Sequence, residues 1–181
     1  MDVPLKHVIG TIALIGLVIA VGLSYTVLAS YIEAEVARTQ LEQIAEHVSL
    51  NLVEIVSLVN FANETGNVQM KIISLPSDLG GKAYLVRLIN ETGKGCFVQA
   101  ELVTRNDVVA SSIIPINSYE TQLKLVTDGE NPGTLEVRGE VKLIYYSGTV
   151  YGGDHDIVVW ASKESFHETW AGIGLWESPG G

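Results

Sequence analysis

The sequence predicts an α+β protein: one long N-terminal transmembrane and stem helix, followed by an antiparallel β-sandwich-like head. Three observations predict it. No charged residue occurs from Val8 to Ile32. No proline or glycine occurs from Leu23 to Phe61. Beyond Phe61, short runs of β-type residues alternate with clusters of glycine, asparagine, aspartate and proline, the punctuation of strands and turns. These divide the chain into a short N-terminus (residues 1–7), a helix (8–62) and a β-rich head with an aromatic tail (63–181).

The uncharged run is long enough to cross a bilayer, which takes about 20 apolar residues in a helix. It exceeds the 7–15 residues of a secretory signal core, although Val27-Leu28-Ala29 offers small residues near a cleavage point. A signal-anchor is the second reading. Lys6 and His7 precede the run and Glu33 and Glu35 follow it, an asymmetry that leaves the N-terminus in the cytoplasm and the head outside. The third reading adds association between helices. Gly16, Ala20 and Ser24 recur at a spacing of four and share one face, where small residues let helix backbones approach. Gly10 and Gly22 lie off that face.

The helical pattern continues through the stem. Leu41, Ile44, Val48, Leu52, Ile55 and Val59 recur at steps of three and four, an apolar stripe of helical period. Leu50, Val53, Val56 and Leu58 widen it. From Val8 to Phe61 a continuous helix would be about 80 Å long at 1.5 Å per residue. Its stripe needs a cover, from the head on one side and from neighbouring copies on the other. Between Tyr31 and Thr65 the acids Glu33, Glu35, Glu42, Glu46, Glu54 and Glu64 stand against Arg38 alone.

The head reads as strands near 68–74, 83–89, 95–103, 108–114, 119–126, 135–146 and 156–162. In the sixth, apolar Val137, Val141 and Leu143 alternate with Arg138, Glu140 and Lys142, the pattern of an antiparallel sheet with one wet face. Two such sheets make a sandwich. About 115 residues after Phe61 suffice for a core of their own. Phe166, Trp170 and Trp176 in the tail read as aromatics packed on the sheet or stem, with an exposed contact patch as the alternative.

Composition narrows the function classes. The net charge of −10 disfavours a nucleic-acid partner, which requires basic clusters. The single cysteine, Cys96, precludes an internal disulfide and reads as a small buried hydrophobe. The run Gly152-Gly153-Asp154-His155-Asp156 reads as a turn rather than a metal site, since adjacent residues do not converge on one ion and these are ordinary turn residues. No nucleophile elbow, phosphate loop, zinc-protease helix or dinucleotide glycine pattern occurs. No catalytic residue, metal ligand or cofactor is therefore expected, and the chain is not expected to be an enzyme. Asn63-Glu64-Thr65 and Asn90-Glu91-Thr92 match the N-glycosylation pattern, so N-glycans are expected partners at Asn63 and Asn90 if the head is exported.

Taken together, the leader-like start MDVPLKH, the uncharged VIGTIALIGLVIAVGL, the long stem and the β-rich remainder resemble the archaeal type IV pilins and pilin-like proteins. The segment LPSDLGGKAYLVRL (75–88), a proline turn and Gly-Gly-Lys before a strand, is similar to one in such heads. The resemblance implies a homopolymer: an extracellular filament for adhesion or motility, with the N-terminal helices as its core and glycosylated heads outside. It also implies export by the general secretory route and removal of a short leader by a membrane peptidase. The chain differs from that pattern at Lys6-His7-Val8, where a small residue is expected before the apolar run. A non-polymerising, membrane-anchored accessory or binding protein of a filament or secretion machine is the alternative.

Overall fold

The structure is a computed structural model that describes residues 3–62, 65–66, 68–91, 95–115, 122–127, 133–136, 143–146, 148–165 and 168–177. It has one long apolar helix followed by β-sheets that are mostly antiparallel. Helix α1 spans Val3–Phe61 as a single element of 59 residues. Pro4 falls in its first turn, where a missing N–H costs nothing. The chain packs as two compact units, 1–37 and 38–181. The division falls inside α1, so the second half of the stem belongs with the head.

Among the described residues ten strands follow: β1 Val68–Ile73, β2 Tyr84–Glu91, β3 Gly95–Leu102, β4 Arg105–Ile113, β5 Gln122–Leu125, β6 Gly133–Glu136, β7 Leu143–Tyr146, β8 Thr149–Tyr151, β9 Ile157–Ser165 and β10 Glu168–Glu177. They form two sheets. The larger has the order β1-β9-β10-β7-β6, with β5 also beside β10; the smaller has the order β4-β3-β2-β8. Among the described residues every strand pair is antiparallel except β5 with β10.

Three findings differ from the sequence reading. The run 135–146, expected as one strand, contributes to two, which pair from Gly133↔Tyr146 to Glu136↔Leu143; the alternation at Val137, Arg138, Glu140, Val141 and Lys142 lies outside the described residues. The Gly-rich segment before Asp154 contains the short strand β8. The aromatic tail is not an appendage but the central strand β10, bonded to β9 on one side and to β5 and β7 on the other. Its glycines resemble turn residues in sequence. In space, a Cβ at Gly172 would lie 2.6 Å from the indole of Trp160, which is buried on the neighbouring strand. Glycine is present because the ring occupies the place of its side chain. Phe166 lies outside the described residues.

The core of the head includes the stem stripe. Leu41, Ala45, Val48, Leu52 and Val59 have no exposed surface, and Ile44, Ile55 and Val56 are buried with them. From the small sheet come Tyr84, Val86, Leu88, Val98, Ala100 and Leu102, the alternate positions of β2 and β3. From the large sheet, β9 is buried on both faces from Ile157 to Lys163. One of its faces carries Val158 and Trp160, which pack with Val126, Met70, Trp170 and Trp176. Polar contacts tie α1 to both sheets. The Ser49 hydroxyl donates to the Ile113 carbonyl on β4 at 2.9 Å. Lys71 on β1 pairs with Glu54 at 2.6 Å, and the Thr169 hydroxyl on β10 donates to the Asn60 side-chain oxygen at 2.7 Å.

Candidate membrane and assembly surface

In the N-terminal unit, α1 presents an apolar surface on all sides. Val8, Ile9, Ile12, Leu14, Leu17, Val18, Val21 and Leu23 are each more than half exposed. The helix is long and apolar enough to cross a membrane, and none of its most apolar 18-residue stretch is buried within the chain. Each such side chain would gain about 1.5–3 kcal/mol on leaving water. Three of its hydroxyls are satisfied locally: Thr11 donates to the His7 carbonyl, Ser24 to Ala20 and Thr26 to Leu23, each at 2.8 Å. Such back-bonding lets a hydroxyl sit in hydrocarbon without an orphaned donor.

Among the described residues nothing packs against the glycines of this segment. A Cβ built at Gly10, Gly16 or Gly22 meets nothing within 4 Å. Glycine inside a helix costs roughly 1 kcal/mol relative to alanine, and among the described residues no side chain fills the space that it leaves. Gly16, Ala20 and Ser24 lie together on one exposed face. The Ser24 hydroxyl donates within its own helix, to the Ala20 carbonyl at 2.8 Å.

The stem residues behave differently. Leu41, Ile44, Val48, Leu52 and Ile55 are buried by their own head. They pack the helix onto the sheets, and no exposed stripe is left there to drive association through these five side chains. The exposed apolar residues of the head's helix are Leu50, Leu58 and Phe61, two of which the sequence pattern had assigned to the broadened stripe.

Asn90 is exposed on β2, one residue before its end, and pairs across the strands with Cys96. Asn63 and Thr92 lie outside the described residues. Cys96 is half-buried, and burial pushes its thiol pKa up, which disfavours the reactive thiolate. The 152–156 segment is the turn between β8 and β9, closed by the Tyr151 N–H donating to the Asp154 carboxylate at 2.7 Å. Among the described residues no three metal-binding side chains converge.

No known family model, curated protein or solved structure matches this chain.

Proposed function

We propose that this chain is the structural subunit of an extracellular filament of the type IV pilin kind, held first in the membrane and then in the filament core by the N-terminal part of α1. The carrying observation is the contrast within α1. Its stem stripe is covered by its own head, whereas residues 8–28 are exposed and mostly apolar, and among the described residues nothing lies within 4 Å of a Cβ at Gly10, Gly16 or Gly22. Lipid satisfies the apolar side chains. Neighbouring helices satisfy both the side chains and the space at these glycines.

On this reading the head lies outside the cell, Asn63 and Asn90 are glycan acceptors, and the partners are further copies of the chain and the membrane. Adhesion or motility is the filament's task, and the subunit itself catalyses nothing. The alternative, a membrane-anchored pilin-like accessory protein that does not polymerise, uses the same helix as a plain anchor.

Electron microscopy of filaments sheared from cells, with mass spectrometry of their subunit, separates the two. The filament reading expects this chain as the main component, trimmed before Val8. A full-length chain that stays in the membrane fraction, with no filament, supports the anchor instead.

A further inference from the structure

The proline turn and Gly-Gly-Lys that open the sequence run 75–88 fold as a loop, whose residues from Ser74 to Gly80 build one wall of a cleft. The Tyr84 hydroxyl donates to the Pro76 carbonyl at 2.5 Å. Asp78 accepts the Gly81 N–H at 2.7 Å and the Ser77 hydroxyl at 3.3 Å. Leu79 and Lys82 exchange backbone bonds of 3.0 and 3.3 Å, across Gly80 and Gly81 with φ of 63° and 79°, a backbone that glycine adopts without strain. Tyr84 itself lies against Gly152, where any side chain would collide with its ring. The loop is exposed, yet held at four points.

Facing it, Gln40, Gln43, Ile44 and His47 occupy one face of α1, and the space between is about 450 Å³. Its floor is apolar: Ile44 and Leu79 are buried beneath it. Its rim carries two primary amides, an imidazole, the Ser74 hydroxyl and the Asp78 carboxylate. This set selects by exclusion. Among the described lining residues an anion finds no lysine or arginine, and it meets a chain of charge −10. A metal ion finds one carboxylate, both of whose oxygens already bind the loop. A wholly apolar ligand would strip water from the amides and return no hydrogen bond, which is costly. A neutral ligand rich in hydroxyls, with an apolar face of C–H groups, satisfies both floor and rim.

We infer that the cleft between α1 and the 74–80 loop binds a neutral sugar of one or two rings. The Gln40 and Gln43 amides and the His47 ring meet its hydroxyls, and Ile44 and Leu79 lie under its apolar face. This deepens the reading of the head as a surface-displayed module by naming a ligand class. Binding does not depend on polymerisation, so a failure here and a failure to find filaments are separate results.

The test uses the full chain in phosphatidylcholine nanodiscs, free of sugar-based detergent. Cellobiose, lactose and N,N′-diacetylchitobiose are titrated while side-chain amide and imidazole resonances are followed by NMR. Saturable shifts at Gln40, Gln43 and His47 are expected for at least one disaccharide, with a Kd on the order of 1 mM, the weak end of specific binding. The double variant Gln40→Leu, Gln43→Leu, altered only at exposed positions, should bind at least tenfold more weakly with unchanged thermal unfolding. Gln99→Leu, on the far side of the small sheet, should bind as the parent does. No shift at about 50 mM sugar, shifts that survive the double variant, or equal shifts with inorganic phosphate would each overturn the assignment.

Discussion

The Lys163 ammonium on β9 donates to the carbonyl of Ala62, 2.7 Å away, just past the end of α1, and reaches the Asn60 carbonyl at 3.3 Å. The last carbonyls of a helix have no partner within it and carry the negative end of its dipole. A buried lysine here meets both needs, and Thr169 on β10 holds the Asn60 side chain beside it.

Lys163→Met should therefore destabilise the head although it keeps most of the apolar stem. Hydrogen bonds from a charged group are worth about 1.5–3 kcal/mol, and loss of this one takes the ammonium donor from two part-buried carbonyls. Urea unfolding should report a loss in that range, and hydrogen exchange should accelerate first in the final turn of α1. Stability within 0.5 kcal/mol of the parent would reduce the contact to a bystander.

The head needs its stem. A fragment of residues 38–181 should fold, because it retains Leu41, Ala45, Val48, Leu52 and Val59, none of which has exposed surface. A fragment of 63–181 lacks that stripe and should bind hydrophobic dyes and unfold without cooperativity. Circular dichroism with dye binding compares them. A cooperative, dye-silent 63–181 fragment would restore the reading in which about 115 residues after Phe61 form an independent core.

Tyr84 gives the head a defined response to alkali. Burial, with the nearby Asp78 carboxylate adding to it, pushes its pKa up to about 12 from 10. The folded state then holds this proton more tightly than the unfolded state. Its contribution is fully present below pH 10 and is lost as pH rises through 12. Tyr84→Phe should remove this part of the alkaline destabilisation while costing stability at neutral pH, because the Pro76 carbonyl loses its donor. Parallel stability–pH curves for the two proteins above pH 10 would contradict the assignment.

Assembly is tested at Ala20, not in the stem. Ala20→Trp adds bulk to an exposed face, so the head should fold and the chain should enter the membrane, while filaments should fail to form. Val48→Glu, by contrast, places a charge at a site with no exposed surface and should unfold the head itself. Cross-linking in membranes and electron microscopy read the first; thermal unfolding reads the second. Normal filaments from Ala20→Trp would remove the small-residue face from the assembly interface.

The stem's periodicity made much of its buried face legible: positions 41, 44, 48, 52, 55 and 59 of the stripe are all inside, and Ala45 and Val56 join them. Most strands were legible too, because β-type runs between turn residues reflect local backbone preference. The cleft was not, since Gln40, Gln43 and His47 look like a solvated face until the 74–80 loop lies opposite them. Nor was the clamp at Ala62, whose Lys163 lies about a hundred residues away in sequence.

By itself, the sequence determined the helix, its uncharged membrane-length run and the existence of a β-rich head, because periodicity, charge and turn chemistry act over a few neighbouring residues. Tertiary structure alone decided that the stem stripe is covered by its own head and that β10 is a central strand with Gly172 yielding its space to Trp160. Such contacts depend on which distant segments share a volume, and no local pattern of residues records that.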